Sequence, residues 1–495
     1  MKLHIAIVIA AAFSATVAAQ NSETLAAPQQ PTVEFLIDAP VPIDAPVPEV
    51  GSESSGQEQH NLVPLQRKFP GYGGAALDDS LVTSVYFMTT LDPTGEGSLS
   101  EATSGSYIVP LVAGKIVSDD RINLAQNNIR FLGQLAPGHL SINGTTIFNS
   151  KELVVFSGSN NLWEHFSIRS SDNPTNVEKT GAHGPFSLHD GPSGSLSGVV
   201  LSHLSLHYGS DDSGSTFYDS TDITLYRLLV GHAVTMNHAG GKKNNGILVA
   251  GGSSRLTLFQ NLMMTSGRSP LIQEVELAQS VNTVVYHTDR DGTSNQIFAI
   301  SQSGRPAVSQ EVNFHDNLDI RHNGTASNVW TGQSSGSTLD LYANNNQYRN
   351  CAGVYTDMGF HSSVSDVGNR NSPKHSMPSL PIITDLTQLE SFLLPRVGNY
   401  LTRDSLDDDV INIINNCSTP AVEKTASDYF SNPWPVGPTK PALTIWDQSS
   451  PDGLSDAAKE AFGIAPGTNL LSPNDGRWEA VVDFHSGGLL SASIQ

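Results

Sequence analysis

Two short stretches of the chain superimpose at a single constant offset. In LWEHFSIR (Leu162–Arg169) and VLSHLSLH (Val200–His207), Trp163, His165, Phe166 and Ile168 fall opposite Leu201, His203, Leu204 and Leu206. Apolar and polar residues alternate in both, the period of a β-strand. Further runs of this kind are DITLYRLLV (Asp222–Val230), RLTLFQNLMM (Arg255–Met264), VNTVVYH (Val281–His287) and VNFHDNLDI (Val312–Ile320). Gly, Ser, Asn or Asp bounds each run, and no long amphipathic helix interrupts them. Short strands recurring with loops of variable length predict an all-β solenoid of stacked β-coils. A β-sandwich and a propeller are the competing architectures, and the uneven spacing counts against the propeller.

The flanks read differently. MKLHIAIVIAAAFSATVAAQ has a charged Lys2, an apolar stretch Ile5–Phe13 and a small-residue step Val17-Ala18-Ala19. Residues 1–19 therefore read as a signal peptide, and a secreted, extracellular protein is expected. The apolar run is too short to span a bilayer and no other run is long enough, so no membrane partner is expected. Residues 20–68 are low in complexity, with IDAPVPIDAPVP at Ile37–Pro48, and read as an extended Pro-rich linker or pro-segment. Arg67-Lys68 at its end is either a processing site or two solvated charges. Residues 69–350 are assigned to the solenoid. Residues 351–495 are assigned to an extension whose short helices, DSLDDDVINIINN (Asp404–Asn416) and LSDAAKEAFGIAP (Leu454–Pro466), pack on it. In the first helix Leu406, Val410, Ile413 and Ile414 fall at helical spacing, and acids occupy its first turns, where the helix dipole favours them.

A net charge of −22, with 26 basic against 48 acidic residues, excludes general phosphate neutralisation and so argues against nucleic acid. Charged residues are only 15% of the chain; Ser, Thr, Asn and Gly fill the surface instead, which suits an extracellular, carbohydrate-facing protein, and a monomer is expected. The two cysteines, Cys351 and Cys417, are expected to pair in an oxidising compartment, two buried thiols being the alternative. Asn143, Asn323 and Asn416 each head a glycosylation sequon.

One spacing bears on chemistry. Asp190, Asp211 and His232 follow one another at equal steps of 21 residues (211 − 190 and 232 − 211). In a β-solenoid a step of about 20 to 25 residues stacks side chains on one face. Asp190, Asp211 and the adjacent Asp212 then form a carboxylate cluster. Such a cluster collects a hard cation, supplies acid and base for glycoside hydrolysis, or merely caps strand ends.

Several motifs, in order along residues 69–466, resemble the polysaccharide lyases of the pectate lyase type. GEGSLSEA (Gly95–Ala102) is similar to that family's Gly-x-Gly-Ser-Leu-Arg-Glu-Ala, and LGQLAPG (Leu132–Gly138) to its Gly-Gln-Thr-Ala-Pro-Gly. VLSHLSLHYGSDD (Val200–Asp212) resembles Ile-Asp-His-Cys-Ser-Leu-Ser-Trp-Gly-Ser-Asp-Glu. The segment Asn245–Ile272 resembles the one ending in Arg-Asn-Pro-Arg-Ile, and RDSLDDDV (Arg403–Val410) resembles the Arg-Asp-Ala-Val-Asp helix. The resemblance implies a single-stranded right-handed parallel β-helix. It implies β-elimination on pectin or polygalacturonate, in which a base takes the C5 proton and the C4 oxygen leaves. It implies that the arginine of an Arg-x-Pro motif, here Arg268, is the base. It also implies a calcium ion (Ca2+) held by Asp211 and Asp212 with Asp190, and substrate contacts from Lys242, Lys243 and His203. A guanidinium is normally protonated, so stabilising the developing enolate is a second role for Arg268.

The pattern has gaps near the chemistry. Gly184 aligns with the family's upstream calcium aspartate, Asp190 being the substitute. Leu271 and Gln273 fall where arginines are expected, and Ser202 stands for the acid before His203. Lys242 and Lys243 are two or three residues out of register. Fewer bases against a chain of −22 favour a methylated pectin over a fully charged one. The expected function is a secreted pectate or pectin lyase. A β-helix galacturonan hydrolase using Asp190, Asp211, Asp212 and His232, and a non-catalytic pectin-binding wall protein, are the alternatives.

Overall fold

The computed structural model describes residues 69–144, 152–170, 184–189, 194–209, 212–232, 245–250, 252–265, 267–287, 299–301, 309–321, 328–331, 338–362, 374–418 and 467. The expected signal peptide, the Pro-rich segment, the helix at Leu454–Pro466 and the sequon at Asn323 lie outside the described residues.

Within the described residues the chain winds through three sheets in turn. Asn161–Glu164 belongs to the first sheet, Ser167–Arg169 to the second and Phe186–Leu188 to the third; Ser197–Ser202 then returns to the first. Among the described strands, all pairs are parallel except Gln347–Asn350 with Tyr355–Asp357. This is the parallel β-helix that the motifs imply.

Register explains the constant offset: each coil places like residues at like positions. Phe131, Trp163, Leu201, Leu225 and Leu258 are successive partners in the first sheet and point inward. Ile142, Ile168, Leu206, Val230, Met263 and Val285 do the same in the second. Each side chain so removed from water stabilises the fold by about 1.5–3 kcal/mol.

The corner between the first and second sheets repeats one backbone device. His165, His203, Arg227, Gln260, Asn282, Asp316 and Asn345 all have φ between 48° and 57°, the left-handed region. Asn and Asp enter that region readily, and the other residues are held there by their neighbours. After Gln260, Asp316 and Asn345 the next residue is asparagine, which ties coil to coil. Asn261 Oδ1 accepts from Leu228 N at 2.9 Å, Asn317 Oδ1 from Thr283 N at 2.9 Å and Asn346 Oδ1 from Asn317 N at 3.2 Å.

Among the described residues, three α-helices border the coils: α1 (Gly71–Ala76), α2 (Leu386–Leu393) and α3 (Ser405–Asn415). None of the described helices is long and apolar enough to cross a membrane. Phe69 and Leu380 cover Leu162, Val200, Tyr226, Phe259 and Val281 on the first sheet's outer face. The apolar residues of α2 and α3 pack with Leu229, Leu262, Val284 and Leu318 of the second sheet. The helix expected at Asp404–Asn416 is α3, with Asp404 as N-cap accepting from Leu406 N and Asp407 N. Its buried face is Asp407, Val410, Ile411 and Ile414, so Leu406 and Ile413 are only half-buried. The Cys351–Cys417 disulfide fastens the end of α3 to a late coil. Asn143 lies in strand Leu140–Gly144 with its side chain wholly buried, so the folded protein offers no sequon there; Asn416 is exposed at the end of α3.

Candidate active site

Arg268 sits at one edge of the third sheet. Strands Asp212–Thr216, Asn245–Val249 and Leu271–Gln273 are neighbours there, with Asp212 opposite Asn245 and Asn245 bridged to Gly267. Stacking thus brings together two side chains 56 residues apart. Arg268 Nη1 donates to Asp212 Oδ1 at 2.9 Å and Oδ2 at 2.8 Å. The two side chains are 27% and 15% exposed, so the pair is reachable yet partly shielded from water, where charge–charge attraction gains strength. Asp212 thereby stabilises the charged guanidinium by direct Coulomb attraction.

The bend that carries Arg268 is held from below. Arg268 has φ 51°, and the Ser269–Pro270 peptide is cis. Ser269 Oγ donates to Gly267 O at 3.0 Å and is paired with Thr265 Oγ1; both side chains are wholly buried. Gly246 N donates to Gly267 O at 2.9 Å.

The other expected residues fall unevenly. Asp190, Asp211, Lys242 and Lys243 lie outside the described residues. Gly184 is described, and a β-carbon there would stand 2.6 Å from Asp212 O. A side chain at this position would therefore force the coil edges apart. Leu271 is buried and Gln273 half-buried, in the strand that follows the bend. His203 is not beside Arg268. It occupies the corner between the first and second sheets, 2% exposed, stacked on His165 at 4.5 Å, with Ser202 Oγ 2.7 Å from its Nδ1. A side chain so enclosed packs the corner instead of contacting a polymer. His232, the residue the hydrolase reading needs, is likewise buried, with Nε2 3.2 Å from Asp409 Oδ2 in α3.

Calcium takes about six to eight oxygen ligands. Asp212, the described member of the expected cluster, has both oxygens bonded to Arg268. The described residues do not by themselves make a calcium site. Glu164, His165 and His203 bring one ligand atom each within 4.8 Å of one another, all buried. They do not suit calcium either, because two of the three donors are nitrogens. The two imidazole planes are only 10° apart, so their in-plane lone pairs run side by side and do not converge on one ion.

A second buried polar row was not anticipated from the sequence. Asp404 is ion-paired with Arg169, which is wholly buried. Asp407 accepts from Ser205 Oγ at 2.8 Å and lies 2.7 Å from His207 Nε2. His139 Nδ1 lies 2.6 Å from Thr402 O. Burial, and then the Arg169 charge, push the His139 imidazole down to about 4. Burial pushes the Arg169 guanidinium down to about 10, against the pull of Asp407. Burial opposes ionisation of Asp407, but the His207 hydrogen bond and the His207 and His139 charges outweigh it and hold its carboxyl below the usual range. This row docks α3 on the β-helix. The sequence offered the acids of RDSLDDDV as a signal, without their partners.

No family model matches the chain. It is 24% identical over 427 residues to "Probable pectate lyase C" of Neosartorya fischeri, covering 81% of this chain and 88% of that protein. It is 25% identical over 397 residues to "Probable pectate lyase C" of Aspergillus fumigatus, covering 78% and 84%. Among solved structures, a pectate lyase from Paenibacillus sp. 0602 aligns with a TM-score of 0.40 and 10% identity, over 70% of this chain and 99% of that one. A Bacillus subtilis pectate lyase mutant aligns with a TM-score of 0.39 and 11% identity, over 68% and 99%. The family resemblance carried by the motifs is therefore matched along most of the chain, which is similar to fungal proteins named probable pectate lyase C.

Proposed function

We propose that the protein is a secreted pectate or pectin lyase that cleaves α-1,4-galacturonan by β-elimination, with Arg268 as its catalytic residue. The observation that carries this reading is the Arg268 bend: a left-handed arginine just before Ser269-Pro270, at an accessible coil edge, with its guanidinium on Asp212. The names of the relatives point the same way.

In the reaction a base takes the C5 proton, the C5–H electron pair forms the C4–C5 double bond, and the C4–O bond breaks to release the leaving chain as an alkoxide that takes a proton. Charge accumulates on the C5 carboxylate or ester as the proton leaves. A guanidinium set against that oxygen would stabilise the developing enolate without first losing its own proton. Acting as the base requires the neutral guanidine, and pairing with Asp212 opposes that form. Electrostatic stabilisation is therefore the role assigned to the paired state, and proton removal requires that Arg268 first leave Asp212. Lys242 and Lys243 are proposed as substrate-binding cations, and Asp211 with Asp190 as the carboxylates that would give any calcium dependence.

One observation favours a second reading, a pectin-binding protein without turnover: Gly184 fills the place of an expected acid, and both oxygens of Asp212 are engaged. Product analysis decides. Polygalacturonate and methylated pectin are each incubated with the protein, with Ca2+ or with chelator. Unsaturated, ultraviolet-absorbing ends are expected. Reducing ends without that absorbance would mean hydrolysis, and retention of pectin without any new ends would mean binding alone.

A further inference from the structure

Nothing in the proposed reaction explains why the chain beneath Arg268 is built from three small residues. A β-carbon at Gly246 would stand 2.7 Å from Arg268 O, 3.1 Å from Ser269 Oγ and 3.1 Å from Met263 Sδ. Any side chain there would lift the bend. Ser269 Oγ, wholly buried, donates to Gly267 O at 3.0 Å. A hydroxyl has one proton, so Thr265 Oγ1 is the donor in its bond to Ser269. The relay Thr265 to Ser269 to Gly267 O spans the bend and fixes the residue before Arg268. Gly267 is also bridged to Asn245, whose register partner is Asp212. The chain of contacts therefore runs from the buried hydroxyls to both members of the ion pair.

We infer that Thr265, Ser269 and Gly246 are positioning residues that hold Arg268 on its bend and aim its guanidinium at Asp212. The left-handed φ of 51° is costly for an arginine and persists only where the surroundings over-determine it. The hydroxyl relay and the glycine floor supply that constraint. This inference rests on the proposed lyase reading for its kinetic consequence, and not for its structural one.

Three variants test it. Thr265→Val keeps the shape and removes the donor, Thr265→Ser restores the hydroxyl, and Ser269→Ala removes the relay. A misplacement of about 1 Å in a catalytic group costs on the order of 100-fold in rate. Thr265→Val and Ser269→Ala are expected to lower kcat roughly 10- to 100-fold with KM little changed. Thr265→Ser is expected to recover most of it. A merely structural role would lower the melting temperature of all three and leave kcat per folded molecule intact, which would overturn the inference. Crystal structures of Thr265→Val and Ser269→Ala separate it from the lyase reading. Arg268 displaced from Asp212 supports the cradle even if the wild type eliminates nothing, and Arg268 unmoved in both refutes it even if the wild type is active.

Discussion

His139 makes the docking of the C-terminal segment sensitive to acid. It is 4% exposed, with Thr402 O 2.6 Å from Nδ1 and Arg169 Nη2 3.4 Å from Nε2; the carboxylates of Asp404 and Asp407 and the imidazole of His207 share the same buried row. Burial, then Arg169, move its imidazole from 6.5 down to about 4. The unfolded chain therefore takes up the proton first as the pH falls. Stability is complete above the unfolded value and is lost between about 6.5 and about 4. One pKa unit corresponds to about 1.4 kcal/mol, so His139 withdraws roughly 2 kcal/mol between neutral pH and a pH of about 4.5. His207, also depressed by burial, adds to the loss with the same sign. Asp407, whose carboxyl is held low, acts only at still lower pH, where its protonation removes stability. The assay is urea unfolding of wild type and His139→Gln at both pH values. Glutamine keeps a donor for Thr402 O and does not titrate, so its loss on acidification should be smaller by that amount. An identical pH response in the two proteins would refute the reasoning.

Other consequences are as direct. Opening the Cys351–Cys417 bond by the double serine substitution frees a loop with a sequence separation of 66, which chain entropy values at about 4 kcal/mol; a drop in melting temperature is expected, and an unchanged one would argue against the bond. Arg169→Met strands Asp404 as a buried anion, at a cost of about 3 kcal/mol or more, and faster amide hydrogen exchange in α3 should report it; unaltered exchange would contradict the docking role. Gly184→Asp meets Asp212 O, so calorimetry should find no calcium affinity gained and thermal melting should find stability lost; a new tight calcium site would show that the coil edges can part.

The coils were legible because a parallel solenoid repeats its inward column in every turn. The offset that pairs Trp163 with Leu201 and Ile168 with Leu206 in the sequence is the register of neighbouring strands. What the alternation hid is the corner inside each run. RLTLFQNLMM reads as one strand, yet it is two, Ser254–Phe259 and Leu262–Thr265, broken at Gln260 in the left-handed region. DITLYRLLV breaks in the same way at Arg227, and VNFHDNLDI at Asp316. Polar residues at those positions look like the outward half of an alternation. His203 matches a substrate-site motif in its neighbourhood, but Tyr226 and, from the C-terminal segment, Tyr400 enclose it at the corner. Motifs mark both Arg268 and Asp212, but their pairing depends on which coils are adjacent, and loops of unequal length hide that. Arg169 and Asp404 are 235 residues apart, and no local pattern connects them.

The central claim is that Arg268 drives elimination. The direct measurement is ultraviolet absorbance at product ends for wild type and Arg268→Ala, on polygalacturonate and on methylated pectin, with Ca2+ and with chelator. Absorbance that grows with the wild type and vanishes in a folded Arg268→Ala is the predicted result. Equal absorbance from both proteins, or none from the wild type on any substrate, would contradict it.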